Sequence, residues 1–373
     1  MSPAPRSLLV ERPEDLDPYL SAWDELAVAS GRPFCAPAWM LAWWRRGREG
    51  DARLRAVVVL DGDRAIGIGP FFAQVGPLRL AEYRLLGAGF CHRVGPVAVA
   101  GREDEVAAAI AAALAAATPR PASVVFEGLD ARDPWPELIR RHWPGRAQLR
   151  TDVTMRSPAI DLAEGYEGWL GRRDRKFRKE ARRTARRLGE EGVDGRLTAD
   201  PEAIVALLRL HHRRWEERGG SNVGAEAQGV LTEAAAALGA TGRLQVALLE
   251  GPDGAVAAEL VVRAGEAAVF WGGGFDPDWA KLAPGMQALL LALEDAAAAG
   301  VREADLGGGD HSYKIRLADT DRPLVWRTLL PVGRLYPAIR LRLAPKHLRW
   351  AARDASRRLP DRWRARLDRL RGR

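Results

Sequence analysis

The predicted secondary-structure elements of this chain occur twice in the same order, and this repeat limits the possible folds more than any other feature. Each half has two helices, a β-hairpin, a helix and a buried strand. The chain of 373 residues is also too long for one ordinary hydrophobic core. We therefore predict a duplicated α/β unit, with the seam between the halves near residues 158–165.

In the first half, the helices are predicted over 14–29, in PFCAPAWMLAWWRR, and over 103–117. In the second half, they are predicted over 172–191, over 202–218, and in PGMQALLLALEDAAAAG from Pro284. The hairpin strands of the second half are RLQVALLE and AVAAELVVRAG, and AAVFWGGGF follows them as a third strand.

Positive charge is concentrated in two segments. Residues 172–187 carry ten basic and two acidic side chains, and residues 334–373 carry fourteen basic and three acidic ones. The whole chain has a net charge of +8, so the rest of the protein is acidic, with a net charge of −11. Such segments are either solvated helix faces or surfaces that bind anions. In the second of them, Pro345 and Pro360 separate two short amphipathic pieces, a pattern typical of binding to an anionic membrane or to the acidic body of the protein.

Other features exclude several classes of protein. Two cysteines and six scattered histidines give neither a disulfide framework nor a metal-ligand spacing, so we expect no metal. The longest apolar run is far shorter than the roughly 20 residues that cross a bilayer. The N-terminus carries acids where a signal peptide would be apolar. We expect a cytoplasmic protein, peripheral to the inner face of the membrane if the basic tail binds there.

Two stretches combine glycines with reactive side chains. The strand AAVFWGGGF is followed by a helix that begins at Pro284 and Gly285, and the unpaired amides of such a first turn can bind a phosphate. The stretch ADLGGGDHSYK places Asp305, Tyr313 and Lys314 around a glycine turn. Only five of the 57 cationic residues are lysines, which suggests that Lys314 occupies a place needing a compact charge.

The helix predicted over 202–218 carries a histidine on its apolar face. Ile204, Leu207, Leu208, His211 and Trp215 recur at helical spacing. His211 is therefore either a hydrogen-bonded core histidine or a proton acceptor that faces a cleft.

Three stretches, LHHRRWEERGG, GGGFDPDWAKLAPGMQALLLALEDAAAAGV and ADLGGGDHSYKIRLA, resemble the CelD-like, cellulose-biosynthesis-associated branch of the Gcn5-related N-acetyltransferase (GNAT) superfamily. This branch is related to the Fem-type peptidoglycan aminoacyl ligases, which carry two such domains in tandem. The resemblance covers most of residues 14–330. It implies an α/β fold of tandem GNAT-like domains, each a mixed sheet flanked by helices. We expect these domains over residues 1–160 and 161–333, and a basic helical tail over 334–373.

The resemblance also implies a mechanism, in which an amine attacks an acyl thioester directly. It implies His211 as a group acting on the amine, Tyr313 as the acid for the leaving thiolate, and Lys314 as a ligand of a phosphate or the oxyanion. Asp305 matches a further position of the family pattern and is the fourth residue expected to be catalytic.

Further residues are expected to contact the donor and the substrate. The donor pyrophosphate is expected at Pro284, Gly285 and Met286. Arg214, Trp215 and Trp271 are the expected substrate contacts. The usual coenzyme A loop is replaced here by KLAPGM.

The function that follows is an acyltransferase. It would use acyl-CoA, with acetyl-CoA first, to modify an amine or hydroxyl of a cell-envelope, polysaccharide or small-molecule precursor. Two alternatives stay open: a non-catalytic module that binds anionic RNA or membrane, and a Fem-type ligase that uses aminoacyl-tRNA. We expect nucleic acid as a partner only in these alternatives. The first domain, which lacks an equivalent polar cluster, is expected to be a scaffold or to bind the acceptor.

Overall fold

The structure is a computed structural model, and it describes residues 5–48, 50–216 and 223–344. The first half contains strands β1 (Arg6–Val10), β2 (Arg53–Leu54), β3 (Ala56–Asp61), β4 (Arg64–Gly69), β5 (Phe71–Val75), β6 (Ala81–Leu85), β7 (Val97–Ala98), β8 (Pro121–Asp130) and β9 (Ala147–Met155). Its α-helices are α1 (Leu20–Ala29), α2 (Pro37–Arg46), α3 (Glu103–Ala116) and α4 (Trp135–Arg141).

The second half contains strands β10 (Pro158–Asp161), β11 (Asp194–Thr198), β12 (Leu244–Gly251), β13 (Gly254–Ala264), β14 (Ala267–Phe275), β15 (Glu303–Asp305), β16 (Thr320–Asp321) and β17 (Leu324–Pro331). Its α-helices are α5 (Gly165–Arg172), α6 (Arg175–Glu190), α7 (Pro201–Glu216), α8 (Glu226–Leu238), α9 (Pro284–Ala298) and α10 (Ser312–Leu317). The α/β class and the tandem arrangement of two similar halves are as the sequence predicts.

The strands form three sheets whose order positions the site. The second half builds a sheet of order β11-β12-β13-β14-β15-β10-β16, in which β14 and β15 run parallel and the other neighbours run antiparallel. The first half contributes a four-stranded sheet, β1-β3-β4-β7, and a sheet of order β2-β5-β6-β8-β17-β9. Strand β17 thus lies between two strands of the first half. The expected second domain, residues 161–333, therefore ends with a strand that pairs in a sheet of the first half.

Several helices differ from the sequence-based expectation. The helix predicted over 172–191 corresponds to α6, which begins only at Arg175 because Asp174 caps it by accepting a hydrogen bond from the Phe177 amide at 2.7 Å. The first predicted helix begins only at Leu20, and a 3-10 helix containing Pro18 precedes it. Helix α8 was not predicted. Helix α10 holds Tyr313 and Lys314, which the sequence placed on a turn.

The two halves share one large hydrophobic core. Trp23 and Trp39 of the first half are fully buried in the same cluster as Leu207, Leu231 and Leu260 of the second half. Burial of large apolar side chains is the main stabilising term in folding, so this shared cluster holds the halves together as one body.

The predicted basic tail is described only at its start. Residues 336–344 are helical, and Ile339 and Leu343 pack with Leu80, Ala122 and Leu330. Residues 345–373, which carry most of the tail, lie outside the described residues. In the ranges that the structure does describe, no helix has the length and apolarity to span a bilayer.

Candidate active site

A cavity of about 520 Å³ lies between the two halves. The first half contributes an aromatic wall to it, formed by Phe34, Trp43, Phe72 and Phe90. The second half contributes most of the polar groups, namely His211, Glu259, Asp305, Tyr313 and Lys314. Four of these five were predicted as catalytic residues from the sequence, and they come from three elements: α7, β15 and α10.

The cavity opens where two parallel strands separate. Strands β14 and β15 are paired only from Ala267 to Val269 and from Glu303 to Asp305. Beyond that point the edge of β14 from Phe270 to Gly273 lines the cavity, opposite the glycine turn that follows β15. A strand edge presents backbone N–H and C=O groups, so a ligand in this gap can hydrogen-bond to the main chain.

The three glycines of β14 have different neighbours. A Cβ atom on Gly274 would lie 2.2 Å from the backbone nitrogen of His211, so this glycine lets α7 pack directly on the strand. A Cβ atom on Gly273 would lie 2.0 Å from Oε2 of Glu259. A Cβ atom on Gly272 would meet no atom within 4 Å. Two of the glycines therefore serve close packing, and the third leaves space in the cavity.

Lys314 is held by the turn between β15 and α10. Its Nζ donates hydrogen bonds to the carbonyl oxygens of Gly307 at 3.3 Å and Gly308 at 3.2 Å. Gly307 and Gly309 have φ values of +77° and +115°, which favour glycine. Burial lowers the pKa of Lys314, and the nearby Glu259 and Asp305 carboxylates oppose that effect. An ammonium has three protons, so Lys314 keeps one for a ligand.

Tyr313 lies beside Lys314 at the cavity. Burial raises the pKa of its hydroxyl to about 12, and the Glu259 carboxylate adds to that effect. Arg214 of α7 lies close enough to Tyr313 to oppose that rise, and its guanidinium lies 5.1 Å from the centre of the Phe275 ring. Tyr313 is therefore a neutral hydroxyl at physiological pH and can act as a proton donor.

His211 is buried on the inner face of α7. Its Nδ1 lies 3.2 Å from the carbonyl oxygen of Gly273, so the Nδ1–H tautomer donates to that oxygen. Burial lowers the pKa of His211, which keeps the ring neutral. Within the described part of the chain, Nε2 has no hydrogen-bond partner, and it also has almost no accessible surface. The ring reaches the cavity wall, but this nitrogen does not open into the cavity.

Asp305 is buried and connects the halves. It accepts hydrogen bonds from Ser157 Oγ at 2.9 Å, from the Gly307 amide at 2.6 Å and from Arg93 Nε at 2.6 Å. Arg93 belongs to the first half, and it also donates to Asp130 at 2.9 Å. Because so many donors already occupy this carboxylate, its contacts are those of an anchor that fixes the glycine turn.

Glu259 is a cavity residue that the sequence analysis missed. It lies on β13, opposite Gly273 of β14, and its carboxylate faces the cavity. Burial raises its pKa to about 7, against the opposing charges of Lys314 and Arg214. The only signal in the sequence is that Glu259 interrupts the apolar run AVAAELVV. A carboxylate in such a run is costly to bury unless it is paired.

The predicted substrate contacts lie near this group of residues. Trp271 lines the cavity, donates from Nε1 to the Phe90 carbonyl oxygen at 3.1 Å, and packs on the Phe90 ring with 5.3 Å between centroids. Trp215 is half-buried, and its ring centroid lies 6.2 Å from that of His211 and 6.3 Å from that of His311.

The three residues of the predicted pyrophosphate site are described by the structure, but they are not among the residues that line the cavity. Pro284, Gly285 and Met286 form the first turn of α9. Pro284 has no N–H, and the Met286 amide is bonded to the Ala283 carbonyl oxygen at 3.0 Å. The amide of Gly285 is therefore the one N–H of these three residues that has no backbone acceptor within the described part of the chain. Part of the predicted cradle is therefore already used by the helix itself.

In residues 5–48, 50–216 and 223–344, no group of three or more His, Cys, Asp or Glu side chains is placed to hold a metal ion.

Residues 175–315 match a family model described as an acetyltransferase (GNAT) domain. No curated protein matches the chain in sequence. The matched region includes α7, β13, β14 and the start of α10, so His211, Glu259, Asp305, Tyr313 and Lys314 all lie within it.

The fold is similar to that of solved proteins at low sequence identity. FemX is 10% identical, with a TM-score of 0.62, and the match covers 86% of this chain and 96% of FemX. The C-terminal domain of a putative lysylphosphatidylglycerol synthetase from Agrobacterium fabrum is 11% identical, with a TM-score of 0.53, over 88% of this chain and 96% of that domain. L-PGS from Bacillus licheniformis is 14% identical, with a TM-score of 0.51, over 89% and 95% of the two chains. At these identities the likeness shows a shared fold.

Proposed function

Because the second half of the chain contains a GNAT acetyltransferase domain, we propose that the protein is an acyltransferase whose reaction takes place in the cavity between the halves. The donor is an acyl-CoA, with acetyl-CoA the first candidate. The acceptor is an amine or hydroxyl of a cell-envelope, polysaccharide or small-molecule precursor. The observation that carries the proposal is the separation of β14 and β15 beside Lys314 and Tyr313.

The reaction needs three groups besides the binding surface. The nucleophile loses a proton and attacks the thioester carbon, so that a new C–N or C–O bond forms while the C–S bond breaks. Lys314 offers its remaining proton to the carbonyl oxygen as negative charge develops there. Tyr313 donates a proton to the leaving thiolate. His211 is the base predicted from the sequence, although its buried Nε2 would have to become accessible for that role.

A second candidate donor is aminoacyl-tRNA, and the surface of α6 favours it. Seven cations of this helix are exposed to solvent: Arg175, Lys176, Lys179, Arg182, Arg183, Arg186 and Arg187. The helix contacts the start of α9, where Gln287 Nε2 donates to the Ala181 carbonyl oxygen at 3.1 Å. Exposed cations in a row bind polyphosphate backbones in a salt-dependent way.

Isothermal titration calorimetry with acetyl-CoA, a longer acyl-CoA and a charged tRNA tests the proposal. We expect saturable binding of an acyl-CoA that weakens less between 50 and 200 mM salt than binding of a tRNA would, because an acyl-CoA carries far fewer phosphates. Binding of only the charged tRNA, weakening steeply over the same salt range, would favour the second donor. Failure of all three to bind would contradict acyl transfer and favour a binding module without catalytic activity.

A further inference from the structure

One end of the six-stranded sheet that contains β17 carries basic side chains and no acidic ones. Val75 at the end of β5 pairs with Ala81 of β6, which pairs with Pro121 of β8. Pro331 at the end of β17 pairs with Ala147 of β9. Four chain segments therefore meet there, and we call them together the basic end: residues 75–81, 118–122, 144–148 and 331–344. They contain six arginines and neither aspartate nor glutamate.

The arginines of the basic end have no acidic partner within the described residues. All six are exposed, and in residues 5–48, 50–216 and 223–344 no carboxylate forms an ion pair with any of them: Arg79, Arg120, Arg146, Arg334, Arg340 and Arg342. Outside the two basic segments of the sequence the protein is acidic, so this end differs in charge from the body around it. A cluster of uncompensated charges of one sign attracts partners of the opposite sign.

Exposed apolar side chains are concentrated at the same end. Seven large apolar side chains are exposed in the described part of the chain, and five of them belong to the basic end: Val75, Leu78, Val332, Leu335 and Leu341. Leu78 and Leu341 are each 76% exposed, more than any of the others. Single exposed apolar residues are common on proteins, whereas a group of them marks an interaction surface.

The turn between β5 and β6 holds Leu78 in solvent at a cost to folding. Leu78 and Arg79 have φ values of +61° and +54°, in the left-handed region that favours glycine or asparagine. Neither side chain is buried in exchange for this strain. Backbone strain without compensating burial is typical of a segment that serves a function rather than stability.

The helix of residues 336–344 extends the same surface. Ile339 and Leu343 face inward and pack with Leu80 of the β5–β6 turn, which leaves Leu341 on the outer face. The Arg342 guanidinium lies against the turn, because a Cβ atom on Gly76 would be 2.9 Å from its Nη2. The helix and the turn thus form one continuous surface with both cationic and apolar side chains.

The charge of the basic end restricts what can cover it. The chain continues beyond Ala344 for 29 residues with eleven basic and three acidic side chains, so this segment has the same sign and is repelled. A second copy of the same end is repelled for the same reason. The partner is therefore anionic. Nucleic acids bind arginines, but bases stack on aromatic rings and gain little from exposed leucines. The surface of an anionic bilayer binds both kinds of side chain.

We propose that the basic end docks on the surface of a bilayer that contains anionic lipid. Leu78 and Leu341 enter the boundary between headgroups and acyl chains, and the six arginines contact lipid phosphates. The inference does not rest on acyl transfer. It also differs from the membrane binding predicted for the tail, because the surface consists of folded residues between 75 and 344.

A fluorescent probe on the full-length protein tests where the contact lies. Leu78→Cys is labelled with nitrobenzoxadiazole, and the two native cysteines are buried and thus protected. With vesicles of phosphatidylcholine and phosphatidylglycerol, we expect brighter, blue-shifted emission that a nitroxide in the acyl chains quenches. The same label at Val205→Cys, an exposed position on α7, should not respond. Vesicle binding without a response at position 78 would overturn the proposal, because another segment would then make the contact.

Co-sedimentation of unlabelled variants measures the contribution of each kind of side chain. The double variant Leu78→Gln, Leu341→Gln should bind these vesicles at least tenfold more weakly. Arg79→Gln, Arg340→Gln should also lose about tenfold or more at low salt, because each basic residue near an anionic surface contributes about a fivefold factor. Val205→Gln, Arg209→Gln, a matched pair on the outer face of α7, should bind normally.

Two other outcomes would contradict membrane docking. Equal vesicle binding by all the variants would overturn it. So would binding of a tRNA mixture that the arginine variant weakens and the leucine variant does not, with no binding to vesicles, since the basic end would then be a nucleic-acid surface.

Discussion

The charged residues of the cavity differ in whether the fold supplies hydrogen-bond partners for their charge. Asp305 has three hydrogen-bond donors, and Lys314 has two acceptors. Glu259 has neither ion pair nor hydrogen bond within the described residues. A charged group that costs stability is typical of a site arranged for a ligand rather than for folding.

This cost predicts that Glu259→Gln stabilises the protein. The pKa of Glu259 is raised from 4.5 to about 7, so the folded state binds the proton more tightly than the unfolded state. Stability is then lost as the pH rises from about 4.5 to above 7. At pH 8 the variant should gain up to about 3 kcal/mol in free energy of unfolding, and near pH 4 it should gain nothing. Urea denaturation at both pH values measures this; a destabilised variant at pH 8 would be the opposite of the expected result.

Lys314 gives a prediction about activity. Lys314→Met should remove most acyl transfer, because the oxyanion loses its donor. Lys314→Arg should also be impaired, since a planar guanidinium does not fit the two carbonyl oxygens that hold a compact ammonium. Rates of thiol release, with thermal melting as a fold control, measure the effect. Lys281→Met, at an exposed lysine, is the matched control. Normal turnover by Lys314→Arg would indicate that the charge at this position has only a structural role.

At the scale of elements, the site depends on how closely α7 approaches β14. Gly274→Ala places a Cβ atom 2.2 Å from the backbone nitrogen of His211. Because the clashing atom belongs to the backbone, movement of a side chain cannot relieve the clash. We expect a loss of about 1–3 kcal/mol in stability. Gly272→Ala, two residues away with open space, should change stability by less than about 0.5 kcal/mol. Chemical denaturation of both variants checks the contrast, and equal effects would rule out the close contact.

Local patterns predict these elements, but not their partners. Helical spacing placed His211 on the inner face of α7, and the glycines marked the end of β14 correctly. Glu259 was missed because one glutamate in an apolar strand does not indicate what lies across the cavity. Helix α8, with its glycine and alanines, has a weak periodic pattern. No local pattern shows that β17 returns to the sheet of the first half, because strand pairing depends on the tertiary fold.

At the scale of the molecule, the two halves are joined at the edge of the cavity. Arg93 of the first half is bonded to Asp305 and Asp130, and all three side chains are largely buried. Such a pair is costly to break from one side. These contacts predict that the main role of Asp305 is to stabilise the fold. A role in catalysis remains a prediction from the resemblance.

Asp305→Asn separates these roles. If Asp305 is an anchor, the variant should melt at a lower temperature and lose about 3 kcal/mol in free energy of unfolding. Its turnover should be largely retained in the folded protein at low temperature. A catalytic role predicts loss of turnover with unchanged melting. Asp278→Asn, at an exposed aspartate paired with Arg213, is the control and should change neither. Melting curves and rates on the same samples decide between the roles.

The central claim is that acyl transfer takes place in the cavity between the halves, and blocking that cavity tests it most directly. Gly272 is suited to this because a side chain there meets open space. We expect Gly272→Phe to fold normally and to lose acyl transfer, because the ring fills the gap between β14 and the glycine turn. Gly171→Phe, at an exposed glycine of α5 that also has open space, should keep normal transfer. The measurement is the rate of acyl transfer from acyl-CoA by the two variants. Undiminished transfer by a folded Gly272→Phe protein would contradict the account.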